Sequence, residues 1–143
     1  MTRLTKIKGA IKLNTYDSDS WEIIIKITPE DVELFCMELN LLWFGKADSV
    51  IVESSETGEK VTLTAPETLD EARVSMIKDD YRIEFSNRDI QAILSYLLEY
   101  YRDSFAPVSH MHIEVDDDTL GEDGDITIVA TRSAEQFAKE SDD

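Results

Sequence analysis

The sequence predicts an α+β fold of two β-β-α-β-β units, with about eight mostly antiparallel strands and two helices packed on the sheet. Three observations predict it. Two stretches place apolar residues at spacings of three and four, the period of a helix with one buried face. Short segments that alternate apolar and polar residues, the period of a strand, stand before and after each. The two helix-centred stretches also align with each other at a single shift.

The first segment, "KIKGAIKL", puts Lys6, Lys8 and Lys12 on one side and Ile7, Ile11 and Leu13 on the other. It reads as a half-buried strand whose lysine row suits an exposed face or edge. "NTYDSDS" reads as a polar loop, and "WEIIIKI" as a strand with Trp21, Ile23, Ile25 and Ile27 facing inward. Thr28 is then predicted to cap a helix, with Pro29 at its first position and Asp31 reaching back as in a capping box. The helix runs to about Trp43 and presents Val32, Phe35, Cys36, Leu39, Leu42 and Trp43 on one face. "SVIVESSE", a turn at "TGEK" and "VTLTA" form a hairpin.

After the connector "PETLDEA", "RVSMIK" and "YRIEFS" form the next hairpin around a tight "DD". Ser86 caps the second helix, with Asp89 three residues on. Ile90, Ile93, Leu94, Leu97, Leu98 and Tyr101 make its stripe. Tyr100 falls off that stripe and is predicted to be exposed. Pro107 closes the unit, "MHIEV" and "DITIVAT" are the last strands, and "SAEQFAKESDD" is a tail.

Ser86 lies 58 residues after Thr28, and at that shift Ile25 meets Ile83, Asp31 meets Asp89, Phe35 meets Ile93 and Leu39 meets Leu97. "GEKVTLTA" resembles "GDITIVA" at a shift of 65 or 66. The units span about 4–65 and 73–132 of one 143-residue domain, with 133–143 as a flexible tail.

The charge narrows the function classes. There are 31 Asp and Glu against 14 Lys and Arg, a net charge of −17. Such a surface repels phosphate backbones and anionic membranes and attracts basic proteins. A basic protein partner is therefore expected, and direct nucleic-acid binding is not. Arg3, Lys6, Lys8 and Lys12 precede the first acid, so one edge is basic. Cys36 is the single cysteine; no intrachain disulfide is possible, and its apolar helical position predicts a buried, unreactive thiol. No apolar run reaches membrane-spanning length and the basic N-terminus lacks an apolar signal core, which predicts a cytoplasmic protein. There is no G-x-S-x-G and no Gly-rich phosphate loop, and no cofactor is expected.

The stretch "SHMHIEVDDDTLGEDGDITIVA" holds both histidines and seven carboxylates with no Lys or Arg. An EF-hand starting at Asp116 would have Asp118 and Gly121 in place, but Leu120 and Thr127 fall where oxygen ligands are required. His110, His112 and Glu114 share one face of a strand, with Met111, Ile113 and Val115 on the other. Two imidazoles and a carboxylate suit zinc or iron with open positions. A half-exposed strand shows the same polar row without any metal.

The segment "SHMHIEVDDDTLGEDGDITIVATR" resembles the C-terminal strand pair of small bacterial cytoplasmic immunity proteins of toxin systems. There a His-x-His strand with an acidic or polar tip precedes a final apolar strand. His110, His112, Ile113, Glu114 and Ile126–Val129 carry the likeness, which covers about a sixth of the chain. The resemblance implies a non-enzymatic inhibitor that binds and blocks a toxin domain.

The sequence thus reads as an acidic protein-binding module that covers a basic partner. Asp116, Asp117, Asp118, Glu122, Asp123 and Asp125 are the expected docking charges and Tyr100 the expected aromatic anchor. The alternatives are a small metal-dependent enzyme built on His110, His112 and Glu114, and an assembly protein whose basic first strand meets an acidic neighbour.

Overall fold

The structure, a computed structural model, describes residues 2–16, 20–66, 72–77, 80–103, 110–115 and 123–131. Along the chain run β1 (Thr2–Ile7), β2 (Ile11–Tyr16), β3 (Ser20–Ile27), α1 (Val32–Trp43), β4 (Ser49–Ser54) and β5 (Lys60–Thr64). Then come β6 (Arg73–Ile77), β7 (Asp80–Glu84), α2 (Asn87–Arg102), β8 (Met111–Glu114) and β9 (Asp123–Ala130). The fold is α+β, and its described residues form two sheets, ordered β1-β4-β5-β7-β6 and β2-β3-β9-β8. The inner faces of both sheets and both helices contribute to one hydrophobic core.

The two units exchange hairpins. β2–β3 lies in the four-stranded sheet while β4–β5, across α1, lies in the five-stranded one. The second unit does the reverse: β6–β7 joins the five-stranded sheet and β8–β9 the four-stranded one. Each sheet is therefore two antiparallel hairpins joined by a parallel seam, β3 with β9 and β5 with β7. The seams are equivalent. Ile23 pairs with Ile126 in one and Tyr81 with Val61 in the other. This register selects 65 from the two shifts that the last strands allow, beside 58 for the strands before the helices. β1 adds a six-residue parallel ladder to β4; at the same place on the second unit stands the isolated parallel bridge Ala72–Val115.

"KIKGAIKL" is not one strand. It breaks at Lys8-Gly9-Ala10 and passes from one sheet to the other. Gly9 makes the crossing possible, because a Cβ there would lie 1.7 Å from the Lys26 carbonyl oxygen. The backbone groups freed at the corner are taken up by side chains, as buried polar groups require. Asp31 accepts from the amides of Lys8 at 2.9 Å and Gly9 at 3.0 Å, and Ser54 donates to the Gly9 carbonyl at 2.9 Å.

That use of Asp31 changes the start of α1. Thr28 is outside any helix or strand, as expected, but it does not cap. Its hydroxyl donates to the Asp31 carboxylate at 2.9 Å, and the helix begins at Val32 with Asp31 as N-cap. The carboxylate cannot reach back to the Thr28 amide while it holds the β1–β2 corner. α2 has no such competitor, and the expected capping box forms, with both Ser86–Asp89 bonds at 3.1 Å.

The α1 stripe also holds a charge. Glu38 is buried beside Leu39 and is met by Arg3 of β1 in a bidentate pair at 2.7 and 3.1 Å. On α2 the buried residues are Ile90, Ile93, Leu94, Leu97 and Tyr100, while Leu98 is 60% and Tyr101 48% exposed. The stripe is thus rotated from the predicted one. Tyr100 completes the 90-93-97-100 row and donates its hydroxyl to the Thr131 carbonyl.

Candidate functional site

The side chains with unassigned chemistry gather on the outer face of the four-stranded sheet. Alternation along β3 sends Trp21, Ile23, Ile25 and Ile27 to the core and Glu22, Ile24 and Lys26 outward. Along β9 it buries Ile126, Ile128 and Ala130 and turns Asp125 and Thr127 to the other face. β8 directs Ile113 inward and His112 outward. Register then does the assembly: Glu22 pairs with Asp125, and His112 with Thr127.

His112 Nδ1 lies 3.2 Å from Asp125 Oδ2 and 2.9 Å from Thr127 Oγ1. Thr127, buried among these groups, donates its hydroxyl to Glu22 Oε2. A hydroxyl has one proton. With that proton on the Glu22 bond, the Thr127 oxygen can only accept from His112, which assigns a proton to Nδ1. In the neutral ring Nε2 is then the acceptor. One ligand atom from each of Glu22, His112 and Asp125 falls within 4.8 Å of the others.

The group is electrostatically tense. Burial pushes the Asp125 carboxyl above its ordinary pKa, the charge and hydrogen bond of His112 pull it back, and the Glu22 carboxylate adds to the rise. The other end of the face is cationic. Lys26 is held below its usual pKa by burial and by repulsion from Lys12.

The sequence-predicted residues are distributed as follows. His112 is in the group, but the carboxylates beside it come from β3 and β9 rather than from its own strand. His110 stands outside, its ring edge-on to that of His112 at 4.8 Å between centroids. Glu114 pairs through its backbone with Asp125; its side chain lies outside the described residues. Asp125 is in the group. Asp123 opens β9, its side chain outside the described residues, as are Asp116, Asp117, Asp118 and Glu122 entirely. Tyr100 is corrected: it is 0% exposed, so it cannot anchor a partner. Burial pushes its phenol up in pKa. Cys36 is half-buried, and burial raises its thiol to about 11, which keeps it protonated and unreactive at neutral pH.

Sequence reasoning missed Glu22 and Thr127. Glu22 in "WEIIIKI" and Thr127 in "DITIVAT" look like ordinary outward strand positions. The one available signal was that both are the polar exceptions in apolar runs.

No protein-family model matches this chain, and no curated protein matches it. Among the described residues, no helix is long and apolar enough to cross a membrane.

Proposed function

We propose that this protein is a non-enzymatic binding module that covers a basic protein partner, in the manner of an inhibitor or immunity protein. The outer face of β3, β9 and β8 is its contact surface, together with the acidic residues that join β8 to β9. The observation that carries this reading is the Glu22–Asp125 pair. Register sets two carboxylates side by side, and the Glu22 charge adds to the rise that burial gives the Asp125 pKa. A lysine or arginine from a partner relieves that repulsion. The net charge of −17 and the run Asp116, Asp117, Asp118, Glu122 and Asp123 favour the same kind of partner.

The test compares association rates at two ionic strengths, using a partner captured from the source cell. Glu22→Gln with Asp125→Asn, and separately Asp117→Asn, Asp118→Asn, Glu122→Gln and Asp123→Asn together, should slow association and flatten its salt dependence. Unchanged rates in both sets would end this reading.

A second reading, a small metal-dependent enzyme, rests on the mutual approach of Glu22, His112 and Asp125 within 4.8 Å. Ligands around a tetrahedral zinc stand roughly 3.4 Å apart, so the three would close slightly on the ion. Zinc titration of tag-free protein decides it: stoichiometric binding lost in His112→Ala and kept in the neutralised hairpin favours metal over docking.

A further inference from the structure

A second feature lies away from that sheet face. A cleft of about 590 Å³ opens between the C-terminal end of α1 and the ends of β5 and β7. One wall is aromatic. Trp43 and Phe44 stack with ring centroids 5.6 Å apart and planes at 16°, and Phe44 is 69% exposed. Arg82, Thr64 and Asn87 bring polar groups to the same space.

Two of those groups are orphans. Thr64 is only 6% exposed, and neither its Oγ1 nor the buried Nε of Arg82 has a hydrogen-bond partner among the described residues. Burying a hydroxyl or a guanidinium N–H without a partner is unfavourable, more so for the charged group. Buried polar groups in native proteins are normally paired with protein, water or a ligand, so two such groups in one cleft point to a polar occupant. A guanidinium offers its donors in a planar fork matched to carboxylate or phosphate. In a chain of net charge −17, a guanidinium held this way marks a site for an anion. Asp48 also lines the cleft. It precedes β4, which β5 separates from β7, the strand of Arg82, in the sheet.

We propose that this cleft binds a small organic anion bearing an aromatic ring, its charge on Arg82 and Thr64 and its ring against Trp43 and Phe44. The stacked pair supplies the flat apolar wall, and the orphaned donors supply orientation, the usual division in small-molecule sites.

The experiment titrates the full chain with phenyl phosphate, phenylacetate, inorganic phosphate and benzyl alcohol, following Trp43 fluorescence and calorimetry, with Trp43→Phe as the optical control. Phenyl phosphate or phenylacetate should bind about tenfold or more tightly than the ring-free or uncharged probe. The tighter of the two tells phosphate from carboxylate. Arg82→Gln should weaken that binding about tenfold or more. Thr64→Val should weaken it too, while leaving the melting temperature unchanged or higher, because the hydroxyl it removes has no partner among the described residues. Equal binding of all four probes, no binding at millimolar concentration, or a clear fall in melting temperature for Thr64→Val would overturn the proposal.

Discussion

The carboxylate of Asp31 accepts the backbone amide of Gly9 at 3.0 Å, joining the start of α1 to the corner where the chain passes between the two sheets. The same carboxylate takes the Lys8 amide and the Thr28 hydroxyl. One buried group therefore organises three segments. Asp31→Ala strands two corner amides and a hydroxyl, and should cost about 3 kcal/mol or more. Thr28→Ala removes only one donor and should cost about 1 kcal/mol. Urea unfolding of both variants checks the order; equal losses would mean that Asp31 does not serve the corner.

Gly9→Ala tests the crossing itself. Its Cβ would meet backbone, the Lys26 carbonyl, rather than a side chain that can swing away. The cost should exceed about 3 kcal/mol, in the range reserved for strain and core disruption. A thermal unfolding shift of only a degree or two would show that the corner can open.

The rotation of the α2 stripe is measurable by scanning adjacent positions. Leu97→Ala, like Leu39→Ala on α1, should cost about 2–5 kcal/mol, because each side chain is fully buried. Leu98→Ala should stay within about 0.5 kcal/mol. Tyr100→Phe should lose about 1 kcal/mol with the Thr131 bond, and Tyr101→Phe less. The reverse ordering at 97 and 98 would restore the stripe drawn from sequence.

Asp125 gives a pH signature. Its folded pKa lies above the unfolded value of about 3.9, so the native state takes up the proton first. Between those two values the native state binds more protons than the unfolded state, and stability rises as pH falls through the raised pKa. The penalty is therefore present at neutral pH. Asp125→Asn should be at least as stable as the parent at pH 7, with that advantage shrinking toward pH 4. Melting curves at both pH values, repeated in a His112→Gln background to separate the imidazole, decide it. An advantage that grows on acidification would contradict the sign.

Local signals in the chain were enough for much of the fold. Period-two runs located the strands around Ile23–Ile27 and Ile126–Ala130, and Ser86 with Asp89 located the start of α2. The shared shift of 58 residues anticipated that the units are built alike. Of the site, His112 and Asp125 were legible as polar positions in the acidic stretch. Glu22 and Thr127 were not, because only the β3–β9 seam brings residue 22 beside residue 125.

By itself, then, the sequence determined which segments form strands and helices and which face of each strand is apolar, since both follow from side-chain period and from caps a few residues away. Tertiary structure alone decided where "KIKGAIKL" breaks, which partner Asp31 serves, whether Tyr100 or Tyr101 is buried, and which carboxylates meet His112. The physical reason is common to all four. Each is a choice between alternatives that differ little locally, one hydrogen bond or one step of helix rotation. Burial of a large side chain contributes about 1.5–3 kcal/mol and an orphaned amide costs about as much, so long-range contacts outweigh the local preference.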